Sequence, residues 1–164
     1  MDKDEIIELV AGFPGVLTVL PGPGDGSPEI SWGGDAFFYY APDGVPPAKG
    51  QPFATVVTKD YPGDEDSRLD RSGVFRVNVF AGREAFERWT GRSPREAAVE
   101  KVDVSRFDVI FAHPVYGSLG WLAVVNPGPR TEAAVRELLG EACRIARARY
   151  ERRERRRQRV SDHR

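Results

Sequence analysis

The sequence predicts an α+β fold in which a mainly antiparallel sheet packs against an N-terminal helix and a long C-terminal helix. Apolar residues recur at helical spacing near the start of the chain and again near its end. Between them lie short apolar runs bounded by glycine, proline and aspartate, as is typical of strands. No alternation of strand and helix with crossover spacing recurs, which argues against a parallel, doubly wound sheet.

The first element is predicted to be a short helix. Asp2 or Asp4 supplies its N-cap, and Ile6 and Val10 lie on one apolar face. Gly12 follows the last apolar turn, where a glycine commonly ends a helix. We expect this helix to cover one side of the sheet.

Seven short runs are predicted to be strands, because turn-forming residues bound each of them. In chain order they are residues 16–20, 29–32, 36–41, 53–58, 74–80, 109–111 and 121–125. The fifth run alternates most clearly and places Arg76 and Asn78 on one polar face, where they either line a cavity or face solvent. The last two runs are joined by residues 113–120, whose glycines suit an antiparallel connection.

Two short helices are predicted between the fifth and sixth strands. Residues 82–91 carry Phe86 and Trp89 three positions apart, which places both rings on one helix face. A serine cap, an N1 proline and a capping-box glutamate follow at residues 93–96 and predict the start of the second helix.

The long C-terminal helix is predicted to begin after Thr131 and to end near Tyr150. Its apolar stripe has the spacing of one helix face. Residues 1–150 are therefore predicted to form a single α+β domain. The arginine-rich extension at 151–164 is expected to be a frayed helix or disordered.

Charge is divided unevenly along the chain. The total charge is −1, but residues 144–164 carry ten arginines against three acidic residues, a net charge of +7. Residues 1–143 therefore carry −8, and such an acidic body repels polyanions. Nucleic acid is thus an expected partner only through arginines of the extension. These are Arg152, Arg153, Arg155, Arg156 and Arg157.

Several classes of protein are disfavoured by composition and motifs. Cys143 is the only cysteine, so no internal disulfide forms, and no signal peptide or membrane-spanning stretch is recognisable. We therefore expect a cytoplasmic protein without a membrane partner. The glycine-rich run 22–27 lacks the ending of a phosphate-binding loop. The chain before the arginine-rich extension has only one histidine and one cysteine, which cannot build a zinc site. We expect no metal and no cofactor.

The leading hypothesis is a non-catalytic small-molecule-binding domain, acting as a monomer or a homodimer. Polar and aromatic residues gather on the predicted strands, yet no complete catalytic set accompanies them. The run 37–40 places bulky rings on both faces of one strand, so either a second layer covers it or one face walls an aromatic pocket. The expected ligand-binding residues are Arg76, Asn78, His113, Tyr116, Trp121, Trp32 and Tyr40.

Two alternatives stay open. The first is a metal-independent enzyme that uses His113 as acid or base, with Asp60 as its carboxylate partner. His113 can instead be held by the backbone to fix the connection between two strands. The second alternative is nucleic-acid binding through the arginine-rich extension.

Four segments carry a resemblance to known proteins. They are residues 13–16 (FPGV), 58–64 (TKDYPGD), 76–79 (RVNV) and 113–117 (HPVYG). With Trp121 behind them, the chain resembles an uncharacterised family of small proteins from GC-rich bacteria over residues 4–150. Its order of elements is also similar to that of the MmcQ/YjbR group, often labelled DNA-binding. That second resemblance implies a double-wing α+β fold.

Overall fold

The computed structural model describes residues 1–164 and contains three α-helices and six strands. The helices are α1 (Lys3–Ala11), α2 (Gly82–Thr90) and α3 (Glu132–Asp162). The strands are β1 (Val16–Val19), β2 (Ala36–Tyr40), β3 (Ala54–Val57), β4 (Arg76–Phe80), β5 (Ile110–Ala112) and β6 (Trp121–Val125). No helix combines the length and the apolar character that a bilayer crossing requires.

The six strands form one sheet in the order β1-β2-β3-β4-β6-β5, and every neighbouring pair is antiparallel. β4 occupies a central position, and Asn78 stands opposite Thr55 of β3 and Ala123 of β6. The predicted α+β fold with an antiparallel sheet and helices at both ends of the chain is confirmed.

All three helices pack on one face of the sheet. Alternate sheet residues such as Phe38, Val56 and Val77 face them and form the main core, which is completed by Phe86 of α2 and Leu139 of α3. α1 starts as expected, because the Asp2 carboxylate accepts a hydrogen bond from the Glu5 amide at 2.8 Å. The opposite face of the sheet is therefore left to the loops.

Two long loops cover that opposite face. Leu69 from the segment before β4 and Val104 from the segment before β5 pack against Phe111, Ala123 and Val125. This smaller apolar cluster closes one end of the face. The polar residues of β4 lie beside it, under the 58–74 loop.

The N-terminus of α3 is capped from a distant part of the chain. Asp108 accepts hydrogen bonds from the amides of Gly128, Arg130 and Thr131 at 2.8–3.0 Å, and from the Thr131 hydroxyl at 2.6 Å. Burial alone would raise the pKa of Asp108, but these donors outweigh it and lower the pKa. The cap therefore fixes where α3 starts relative to the sheet.

Two predicted elements are wrong. Residues 29–32 do not form a strand, because Glu29–Ser31 is a 3₁₀ turn whose Ser31 hydroxyl donates to the Pro28 carbonyl. Residues 93–96 form one turn and no helix follows. Arg92 donates to the Glu96 carbonyl there, and no apolar stripe follows that would stabilise a helix.

α3 is longer than predicted. Its apolar side packs against the core as far as Ala146, and the helix then continues past Tyr150 to Asp162. The side chains of the last twelve helical residues are exposed, with Glu154 partly covered. The division of the chain at residue 150 stays a prediction.

Candidate functional site

Arg76 is the centre of a buried polar network on the loop-covered face of the sheet. Its Nη1 and Nη2 atoms donate to both carboxylate oxygens of Asp64 at 2.9 and 2.5 Å. Nη1 also donates to the Ser67 hydroxyl at 3.0 Å, and Nε donates to the Asn78 side chain at 2.8 Å. Asn78 in turn donates to Thr55 at 3.0 Å. Arg76 therefore ties the 58–74 loop to β3 and β4.

His113 joins this network from the end of β5. Its Nδ1 atom accepts from the amides of Val115 and Tyr116, both at 3.0 Å. Its Nε2 atom lies 3.1 Å from Nη2 of Arg76 and 3.9 Å from the nearer Asp64 oxygen. A neutral imidazole has one nitrogen that accepts a hydrogen bond and one that carries the hydrogen. Whichever nitrogen of His113 carries it, that N–H faces another donor, either the two backbone amides or the Arg76 guanidinium group.

The surroundings of His113 keep its ring neutral. Burial is the main cause, followed by the charge of Arg76, and together they lower the pKa of His113 to about 4. Burial also acts to raise the pKa of Asp64, but the hydrogen bonds and charge of Arg76 outweigh it and lower that pKa. At neutral pH the network thus holds one ion pair and one uncharged imidazole.

Three expected site residues meet here, but they are covered. Arg76, Asn78 and His113 are 1%, 4% and 5% exposed, so the two β4 side chains neither face solvent nor line one of the larger cavities. The Tyr116 ring stacks obliquely on His113 with its centroid 5.0 Å away and is half exposed. Asp60 makes no contact with His113. Its carboxylate accepts from the Leu69 amide.

Trp32 lies in a different cluster, around Asp35. Its indole donates to Ser27 at 2.9 Å, and its carbonyl accepts from the Lys59 ammonium. The buried Asp35 carboxylate accepts from the amide and hydroxyl of Thr58 and from the Tyr61 hydroxyl. Burial and the hydrogen bond from the Tyr61 hydroxyl to Asp35 raise the pKa of Tyr61. The cluster fixes the start of the 58–74 loop.

The sequence analysis did not single out two acidic residues, Asp35, which is buried, and Asp64, which is partly buried. Asp64 occurs within a run of acidic residues, which as a group suggest only a solvated loop. The sequence did indicate that such a residue exists, because Arg76 lies on an otherwise apolar strand and a buried arginine needs an anion as partner. Nowhere in the chain do three or more histidine, cysteine, aspartate or glutamate side chains gather around one point.

The remaining two expected residues, Tyr40 and Trp121, line an aromatic cavity of about 320 Å³. It lies between α3, the 47–53 loop and the ends of β2, β4 and β6. Its rings are Tyr39, Tyr40, Phe53, Phe80 and Trp121.

Several contacts fix the rings of the aromatic cavity. Trp121 meets Phe80 edge to face at 5.9 Å, and Tyr40 meets Tyr150 of α3 edge to face at 5.4 Å. Gly15 allows the Tyr40 position, because a Cβ there would lie 2.6 Å from the ring. Burial raises the pKa of Tyr39, so its phenol remains a hydrogen-bond donor. Contacts with neighbouring rings thus position Tyr40, Phe80 and Trp121 at the cavity.

A second, more open cavity of about 860 Å³ lies beside the edge strand β5. It is lined by the 89–104 segment together with β5 and residues that follow it, including His113. Its wall carries exposed apolar residues, among them Trp89 and Val99, and charges of both signs. This cavity has a mixed lining, in contrast to the aromatic cavity.

Comparison with known proteins gives one match. A family model described as "Family of unknown function (DUF6194)" matches residues 1–155. No curated protein and no solved structure matches the chain.

Proposed function

The chain belongs to this family of unknown function, and we propose from its own residues that it is a non-catalytic protein that binds a small organic molecule in the aromatic cavity. The observation that carries the proposal is a cavity of about 320 Å³ lined by five aromatic rings. Ligand sites typically enclose about 300–1,000 Å³ and are mostly apolar with a few polar groups. The cavity has this size and character.

A binding role has more support than catalysis. The aromatic cavity contains no histidine, cysteine, aspartate or glutamate, so the side chains that most often act as general base or nucleophile are missing from its lining. The enzyme alternative needs a working base, but His113 is buried, uses Nδ1 as an acceptor and faces Arg76. Asp60 makes no contact with it. As part of this proposal, one cysteine and 20 arginines against 4 lysines support a cytoplasmic protein of a GC-rich bacterium.

Trp121→Leu is expected to weaken the binding of a neutral aromatic probe about three- to tenfold, because one ring contact contributes about 0.5–1.5 kcal/mol. The probe is N-phenyl-1-naphthylamine, whose fluorescence rises in an apolar site. Titrations of the full chain give the dissociation constant for each variant.

Trp89→Leu is the matched control, because Trp89 is a half-exposed tryptophan in the wall of the other cavity. It is expected to leave the dissociation constant unchanged. Equal binding by the wild type and Trp121→Leu, or loss of binding in Trp89→Leu, places the probe outside the aromatic cavity and contradicts the proposal.

The arginine-rich extension supports nucleic-acid binding as a second candidate. Arg152, Arg153, Arg155 and Arg156 are exposed on a helix and form no ion pair, whereas Arg157 pairs with Glu154. The similarity of element order to the MmcQ/YjbR group favours the same candidate. The acidic remainder of the chain opposes it, because it repels phosphates.

Truncation after Tyr150 tests this candidate, because it removes the extension and, of the cavity lining, only Arg153. If the extension binds DNA through four or five phosphates, log K falls with log salt at a slope of about −4. The truncated chain is expected to lose that binding, as measured by fluorescence anisotropy of a labelled duplex at several salt concentrations. The control is Arg83→Gln with Arg88→Gln, which removes two positive charges outside the extension and should leave DNA binding unchanged. An unchanged affinity and slope after truncation would exclude the extension as the binding element.

A further inference from the structure

Every charged residue that lines the aromatic cavity is a cation. They are Lys49 in the 47–53 loop and Arg149 and Arg153 on α3. None of the three has a carboxylate within ion-pair distance. Arg149 and Arg153 belong to the positively charged segment 144–164, whereas Lys49 lies in the part of the chain whose net charge is −8. The cavity is therefore a local positive site with an apolar interior.

The helical geometry of α3 places two of these cations, Arg149 and Arg153, at the aromatic cavity. Arg149 and Arg153 are one helical turn apart, and Ile145 one turn earlier lines the cavity as well. The guanidinium carbon of Arg149 lies 4.6 Å from the centroid of the Phe80 ring. The nearby Glu151 and Glu154 are engaged elsewhere, by Arg147 and Arg157.

Like charges one turn apart on a helix repel each other. The stacking of Arg149 on Phe80 provides a cation–π contact but does not neutralise the charge. An anion placed between the two guanidinium groups would satisfy both, because guanidinium groups bind carboxylates, sulfonates and phosphates in two-pronged fashion. The guanidinium groups of Arg149 and Arg153 thus have no anionic partner within the protein, and a bound anion would supply one.

We infer that the aromatic cavity selects a small amphipathic anion, with a planar apolar body among the rings and one acidic head group at Lys49, Arg149 and Arg153. This inference rests on the proposed binding function and adds the class of ligand to it. The head group is a carboxylate, a sulfonate or a phosphate. Cationic ligands are disfavoured by the same three residues.

Two dyes that share the same rings and differ by one sulfonate group test the inference. N-phenyl-1-naphthylamine is neutral, and 8-anilino-1-naphthalenesulfonate has the same rings with one sulfonate. We expect the full-length protein at low salt to bind the anionic dye about tenfold more tightly, because two or three solvent-exposed charge pairs each contribute a small favourable term. Added salt should reduce this preference without weakening the neutral dye.

Arg149→Gln with Arg153→Gln is expected to abolish the preference, so that the dissociation constants of the two dyes become about equal. Arg155→Gln with Arg159→Gln is the matched control. These two arginines are also one turn apart on α3, and neither lines the cavity. The control variant should keep the full preference for the anionic dye.

The outcomes separate the two proposals. If the neutral dye binds in a Trp121-dependent way and the anionic dye binds no better, only the anion inference is overturned. An equal loss of preference in the control variant also overturns it, because the effect then comes from the overall charge of the helix. If neither dye binds, the cavity proposal fails together with the inference. Lys49→Gln, which changes a loop and leaves α3 intact, gives the same test if the arginine variants unfold.

Discussion

Replacing Arg76 by leucine is expected to lower the free energy of unfolding by about 3–5 kcal/mol, because it leaves a largely buried carboxylate without its partner. Asp64 would lose two hydrogen bonds from the guanidinium group, and Ser67 and Asn78 would each lose one. Unfolding by urea, followed by circular dichroism, measures the change. Arg83→Leu removes a mostly exposed arginine and is expected to change the value by less than about 0.5 kcal/mol.

A second variant separates the ion pair from packing. Arg76→Met combined with Asp64→Leu removes both charges, and paired apolar replacement of a buried ion pair is often neutral or stabilising. We expect the double variant to be more stable than Arg76→Leu alone. An Arg76→Leu protein within about 1 kcal/mol of the wild type would mean that the network contributes little to the fold.

Acid is expected to destabilise the protein by about 3 kcal/mol between pH 6.5 and pH 4, because His113 has a pKa of about 4 when folded and about 6.5 when unfolded. In this range the unfolded chain binds a proton that the folded chain does not bind. Stability therefore levels off well above pH 6.5 and falls as the pH is lowered through 6.5 toward 4. The free energy of unfolding in urea, measured at several pH values, gives the slope.

His113→Gln is expected to flatten the slope between pH 6.5 and 5, above the range where most carboxylates titrate. His163→Gln is the control, because His163 is exposed near the end of α3. It should retain the wild-type slope. Where His113→Gln does not fold, NMR titration of the His113 ring in the wild type replaces it. Ring protonation near pH 6.5 in the folded state would contradict the assignment.

The strands could be predicted because their physical signals are local. The run ending at Phe80 alternates, and its predicted polar face is the face that carries Arg76 and Asn78. The failures at Glu29–Ser31 and at residues 93–96 have a common cause. Both have local sequence signals of a regular element, but residues 29–32 pair with no strand and residues 93–96 lead into no helix that packs against the core. Ile30 is exposed, and the residues after Glu96 bury no apolar face.

The candidate site was only partly predictable. Arg76, Asn78 and His113 do come together, yet Asp64 completes their network in place of Asp60. Choosing between acidic residues of one loop requires the path of that loop over the sheet, which no local pattern encodes. Tyr40 and Trp121 were grouped with the network, but they lie in a separate cavity. Its other walls, the 47–53 loop and α3, are distant in sequence.

The continuation of α3 to Asp162 also determines how the charge of this molecule is distributed in space. Twelve helical residues span about 18 Å, and the extension carries positive charge away from an acidic body. The protein therefore has a substantial electric dipole moment, and its net charge of −1 describes neither end. At low ionic strength the helix of one copy attracts the body of another, and at physiological salt this attraction is screened beyond about 8 Å.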